Sequence, residues 1–152
     1  MKIAICDDDI FCRELLTVLT QQYNTEKGCN LSITAYEHGK RLIEDVRING
    51  GYDIYILDIM MPGIDGFEFA KTVRSLNENI PILFMTARDD FASKQRGYRI
   101  GVDDYMVKPI NVNEMVLRVG ALLRRAQMIS ERRQVIGDTV LECDSLTVIS
   151  NG

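Results

Sequence analysis

The chain has 152 residues, 46% of them hydrophobic, which is enough for one well-packed core and a fragment of another domain. Its formal net charge of −4 is mild and decides nothing about partners, although Arg118, Arg124, Arg125, Arg132 and Arg133 crowd one late segment. No stretch approaches the roughly 20 apolar residues of a membrane span, residues 1–6 run into three acids rather than a cleavage site, and Cys6, Cys12, Cys29 and Cys143 form no Cys-x-x-Cys pair, so a cytoplasmic protein with reduced thiols, no zinc and no membrane contact is expected.

Along the chain, short apolar runs rich in β-branched residues alternate with helical periodicity. Lys2–Cys6 is the first run, followed by Phe11, Leu15, Leu16 and Leu19 at helical spacing. Leu31–Tyr36 comes next, then the helical set Leu42, Ile43 and Val46, then Asp53–Leu57, Ile80–Met85 and Asp103–Val107. Met115, Val116, Val119, Leu122, Leu123 and Ala126 close the series on a last helix. The runs are too short for helices and too continuous for strands with one wet face, so they are expected to be buried parallel strands. Five strand–helix alternations with right-handed crossovers predict an α/β fold: a (βα)₅ doubly wound parallel sheet, flavodoxin-like, of strand order 2-1-3-4-5, over residues 1–126.

After Ala126 the pattern changes. Residues 127–134 are polar and charged and are expected to be a linker, and residues 135–152 alternate apolar and polar around Asp144-Ser145 like a β-hairpin. The terminal Asn151-Gly152 is a strong hairpin-turn signal with no strand after it, so this piece is expected to open a second domain whose remainder is missing. Such a tail would be disordered, docked on the first domain, or paired with the edge of another copy.

Asp7-Asp8-Asp9, Asp58, Thr86 and Lys108 follow the first, third, fourth and fifth strands. With strand order 2-1-3-4-5 the first and third strands are neighbours at the topological switch point, and all four positions converge on the crevice beyond the strand carboxyl ends. Several carboxylates in one pocket need a cation or a proton, and an oxygen-only ligand set favours Mg²⁺. Asp8 and Asp58 suit direct ligation, Asp7 ligation partly through water, and Met60 can offer only its main-chain carbonyl. Asp58 is then placed to attack phosphorus and form an acyl phosphate, while Lys108 and the hydroxyl of Thr86 spread the phosphoryl charge. Each residue alone has a plainer role: the acids as helix caps, Thr86 as a cap, Lys108 as a solvated cation and Tyr105 as a strand aromatic. Their joint placement at four strand ends outweighs those roles.

The acidic run, the segment Asp58-Ile59-Met60-Met61-Pro62-Gly63-Ile64-Asp65-Gly66, the pair Thr86-Ala87 and Asp104-Tyr105-Met106-Val107-Lys108-Pro109 together resemble the two-component response regulators over residues 1–126. The resemblance implies a phosphoacceptor switch whose only chemistry is its own phosphorylation and dephosphorylation, with a sensor histidine kinase as donor. It also implies that Thr86 and Ala87 meet the phosphoryl group, that Tyr105 rotates inward, and that a cis bond before Pro109 sets Lys108 at the site. The segment 101–105, with Arg118 and Leu122-Leu123-Arg124-Arg125, resembles the subfamily carrying a winged-helix DNA-binding domain. There phosphorylation favours a homodimer through the face of the fourth helix, fifth strand and fifth helix, for which Asp103, Asp104, Arg118 and Arg125 are the implied charge pairs. Arg99 stands where that subfamily usually has an acid, and Ile110 where phenylalanine is common. Residues 135–152 resemble the first strands of the winged-helix domain without its recognition helix, so promoter DNA is an expected partner only of a longer protein.

Three other readings differ from this one in motif order, in charge or in activity alone. In haloacid dehalogenase phosphatases the nucleophile comes first and the auxiliary acids last, the reverse of the order here. A flavodoxin-type module cradles an anionic phosphate after the first strand, where three aspartates would repel it. A receiver acting without phosphorylation leaves every residue in place and differs only in activity.

Overall fold

The computed structural model describes residues 1–87, 89–136, 139–142 and 147–150, with side chains up to Ile129. Strands β1 (Lys2–Cys6), β2 (Ser32–Tyr36), β3 (Ile54–Leu57), β6 (Ile82–Thr86) and β7 (Asp104–Val107) form a five-stranded sheet in the order β2-β1-β3-β6-β7, with every pairing parallel. This is the expected flavodoxin-like arrangement, with strand limits within two residues of those read from the sequence. Between β3 and β6 lies a ribbon of two two-residue strands, β4 (Met60–Met61) and β5 (Ile64–Asp65), paired antiparallel. Periodicity could not reveal it, because two residues carry no period.

The helices are α1 (Ile10–Lys27), α2 (Gly39–Asn49), α3 (Gly66–Leu76), α4 (Phe91–Ile100) and α5 (Val112–Arg132). Three begin at an aspartate whose carboxylate accepts a backbone N–H of the first turn: Asp9 from Phe11, Asp65 from Phe67 and Asp90 from Ser93. Such a cap typically contributes about 1 kcal/mol. The strand residues alternate between two cores, Ile3, Ile5, Ile54 and Ile56 facing one way and Ala4, Cys6, Tyr55 and Leu57 the other. Leu16 of α1 and Met115, Val119, Leu122 and Leu123 of α5 close the first core; Leu42 of α2 and Phe67, Phe69 and Val73 of α3 close the second.

Residues 127–134, expected to be a linker, are helical up to Arg132, and α5 passes directly into a strand. That strand, β8 (Arg133–Ile136), joins β9 (Thr139–Glu142) and β10 (Thr147–Ser150) in a three-stranded antiparallel sheet, one strand more than the expected hairpin. The expected turn at Asp144-Ser145 lies outside the described residues, as do Cys143 and Asn151-Gly152. Among the described residues, no helix is long and apolar enough to cross a membrane.

Candidate functional site

Strand register builds the site. Cys6 is level with Leu57 in the parallel β1–β3 pair, and the Asp58 N–H donates to the Cys6 carbonyl at 2.8 Å. The next residue on each strand is therefore an aspartate, and the two side chains emerge side by side. Thr86 is level with Val107, and the Lys108 N–H donates to the Thr86 carbonyl at 2.8 Å, which brings the lysine to the same sheet edge.

The three acids after β1 divide their work. Asp9 caps α1, Asp8 is exposed, and Asp7 is 1% exposed beside Asp58 at 5%. Asp7, Asp8 and Asp58 each bring a carboxylate oxygen into one group whose members lie within 4.8 Å of one another. The Lys108 ammonium donates to Asp7 Oδ1 and to Asp58 Oδ2, both at 3.0 Å. It also lies 2.8 Å from Asp7 Oδ2, an ion contact without hydrogen-bond geometry, so this buried oxygen has no donor. Burial pushes the Asp7 carboxyl above the ordinary carboxylate value despite the opposing hydrogen bond from Lys108. Burial works against the Lys108 charge as well, but the hydrogen bonds it donates to Asp7 and Asp58 outweigh it and raise the ammonium above its ordinary value. Beneath them the Cys6 thiol is pushed up to about 12 by burial and by the charges of Asp7 and Asp58, so it is an inert core thiol.

The loop after Asp58 is tightly held. Asp58 Oδ1 accepts the Met60 N–H at 3.0 Å, and the Gly66 N–H returns to the Ile59 carbonyl at 3.2 Å. A Cβ on Gly66 would stand 2.8 Å from the Ile59 Cα, so only glycine permits this close return. Thr86 is fully buried at the end of β6, Ala87 is exposed beyond it, and the Lys108–Pro109 bond is cis. Tyr105 is buried, its ring edge-to-face with Phe84 at a centroid distance of 6.3 Å. The acids, Lys108 and Thr86 thus share one sheet edge, while Tyr105 sits within the core below it.

The four residues expected at a dimer interface are paired within the chain. Asp104 meets Arg118, which also contacts Glu114 at 2.8 Å. Asp103 meets Arg125, and its buried Oδ2 accepts the Ile82 N–H at 2.7 Å and Arg74 Nη2 at 3.3 Å. Sequence reasoning missed Arg74, whose Nη2 also donates to the Gly101 carbonyl at 2.8 Å, and Arg13, whose Nη1 holds the Asp7 carbonyl at 2.7 Å. A lone arginine in a helix carries no mark of the distant carbonyl it will reach.

A family profile described as "Response regulator receiver domain" matches residues 3–120. The transcriptional regulatory protein ResD of Bacillus subtilis is 38% identical over 129 residues, covering 85% of this chain and 50% of the relative. The transcriptional regulatory protein PcoR of Escherichia coli is 39% identical over 103 residues, covering 68% and 46%. The chain thus spans about half the length of these curated relatives. Among solved structures, response regulator DrrB, a Thermotoga maritima OmpR/PhoB homolog, superposes with a TM-score of 0.69 at 24% identity over 98% of this chain and 63% of its own, which shows the shared fold.

Proposed function

Because the chain belongs to the response regulator receiver family of two-component systems, we propose that it takes a phosphoryl group from a histidine kinase on Asp58 and converts it into a change of its α4–β7–α5 face. The observation that carries this reading is the Lys108 ammonium set between Asp7 and Asp58, with a buried Asp7 oxygen left without a donor. That oxygen, the exposed Asp8, Asp58 and the Met60 carbonyl suit an oxygen-liganded Mg²⁺, which would neutralise phosphoryl charge. In the transfer an Asp58 carboxylate oxygen forms a bond to phosphorus, the phosphorus–nitrogen bond of a phosphohistidine breaks, and its electron pair returns to the imidazole. Lys108 then pairs with the phosphoryl oxygens, the Met60 N–H is a further donor, and Thr86 with Ala87 closes over them. The buried Tyr105 ring supports an inward position for this residue in the arrangement described.

Residues 1–126 act as the receiver, the end of α5 connects, and β8, β9 and β10 are the first strands of a winged-helix domain that would bind promoter DNA in a longer protein. In a phosphorylated homodimer Arg118 and Arg125 would exchange their in-chain partners Asp104 and Asp103 for those of a second copy. Intact mass after incubation with a small phosphodonor and Mg²⁺ tests the central claim. The wild type should gain one adduct of ~80 Da, the mass of a single phosphoryl group, that requires Mg²⁺ and is lost in Asp58→Ala. An unmodified wild type would leave a receiver-shaped interaction module.

A further inference from the structure

The Arg96 guanidinium, in the middle of α4, meets three residues at the start of α3. Its Nη2 lies 3.6 Å from Asp65 Oδ2 and 3.4 Å from Glu68 Oε1, and its guanidinium carbon stands 4.2 Å from the centroid of the Phe67 ring. Asp65 is not an arbitrary surface acid. It lies opposite Met60 in the β4–β5 ribbon, and the Met60 N–H is the donor to Asp58 Oδ1. Its own Oδ1 caps α3 through the Phe67 N–H at 2.8 Å, which leaves Oδ2 turned to Arg96. Phe67 in turn packs edge-on against Phe84 at 5.5 Å, and Phe84 packs edge-on against Tyr105. Arg96 therefore touches both ends of one circuit: the ribbon that leaves Asp58, and the aromatic row that reaches Tyr105.

We propose that Arg96 is a positioning residue that clamps α4 to the loop after Asp58, giving the site a second connection to its output face beside the one through Thr86 and Tyr105. The physical basis is that a carboxylate and an acyl phosphate make different demands on the Met60 N–H. Phosphorylation places a bulkier group with more acceptors on one Asp58 oxygen, and the ribbon is tied at its far end by the Gly66 N–H to the Ile59 carbonyl, so the change is passed along the ribbon. Asp65 moves with the ribbon, and the cation paired with it carries α4. Both partners of the ion contact are about half exposed, so the clamp is weak enough to be set and released within the working range of a switch. This inference rests on Asp58 being the phosphoacceptor.

The test is amide hydrogen exchange of the α4 peptide in the full 152-residue chain, with and without a small phosphodonor and Mg²⁺, alongside intact mass. The variants are Arg96→Gln, Asp65→Asn, Arg96→Lys and the double variant Arg96→Gln/Asp65→Asn. Asparagine still caps a helix, so Asp65→Asn removes the charge and keeps α3. In the resting protein Arg96→Gln and Asp65→Asn should each exchange about threefold to tenfold faster in α4, the range expected for one exposed ion contact with a stacked ring. Their phosphoryl-dependent change in α4 should fall to less than half that of the wild type, with the yield of adduct on Asp58 unchanged. Arg96→Lys should restore most of both, and the double variant should be no worse than Arg96→Gln alone, because removing the arginine already removes its contact with Asp65. Wild-type exchange in Arg96→Gln, additive effects in the double variant, or an α4 that ignores the adduct in the wild type would each overturn the clamp. Absence of any adduct in the wild type would instead sink the phosphoacceptor reading, and the resting exchange of the variants would still decide whether Arg96 holds α4.

Discussion

The two faces of the central sheet are packed by different chemistry. The face under α1 and α5 is aliphatic and methionine-rich, with Ile3, Ile5, Leu16, Ile54, Ile56, Leu83, Met85, Met106, Met115 and Leu123. The face under α2 and α3 holds the buried aromatic rings, Tyr36, Tyr52, Tyr55 and Phe69 in one run of edge-to-face contacts and Phe67, Phe84 and Tyr105 in another. Aliphatic packing is non-directional and settles by filling volume. Ring pairs have preferred orientations, so displacing one ring changes the fit of the next. The aromatic face also contains the contacts that lead from the Asp58 loop toward Tyr105, and the aliphatic face supplies the bulk against which they work. The difference suggests that stability and signalling are drawn from opposite sides of one sheet.

Leu16→Ala, which empties a fully buried position under α1, should cost about 2–5 kcal/mol in chemical denaturation. At temperatures where the variant is folded its uptake of phosphoryl should match the wild type; a large loss of uptake would mean that the aliphatic face is also part of the switch. A smaller energetic effect is expected from Phe84→Leu, roughly 1–2 kcal/mol from the lost ring contacts on both sides. Here the sharper readout is functional: phosphodonor-dependent changes in hydrogen exchange at β7 and α4 should weaken out of proportion to the stability lost. Equal weakening in Leu16→Ala would remove the distinction between the faces.

The smallest expected effect concerns the polar edge above both cores. Because burial raises the Asp7 carboxyl above its unfolded value, the charged form carries a cost that is fully present above the folded value and is relieved as pH falls through it. In chelator-treated protein Asp7→Asn should therefore raise the melting temperature near neutral pH, with the gain shrinking as the medium is acidified. Added Mg²⁺ should reverse the order, stabilising the wild type and not the variant. A gain that is independent of pH would place the cost in shape rather than in charge.

Much of the fold was legible in residue order. Five continuous apolar runs with helical periodicity between them left a parallel sheet as the arrangement that buries every run, and the strand ends then located Asp7, Asp58, Thr86 and Lys108 at one edge. Residue type was equally informative there, since adjacent acids and a lysine at neighbouring strand ends mark a charged cluster whatever their exact distances. The β4–β5 ribbon, the division of labour among Asp7, Asp8 and Asp9, and the in-chain pairing of Asp103 and Asp104 were not legible. Each depends on which of several chemically equivalent groups the packed backbone brings within a few ångströms. The sequence by itself determined the alternation, the site's chemical inventory and its position on the sheet, because periodicity and residue type are local properties of the chain. Only the tertiary structure decided which arginine meets which acid, which oxygen is left without a donor and which face holds the rings, because those are set by strand register and helix packing between residues far apart in the chain.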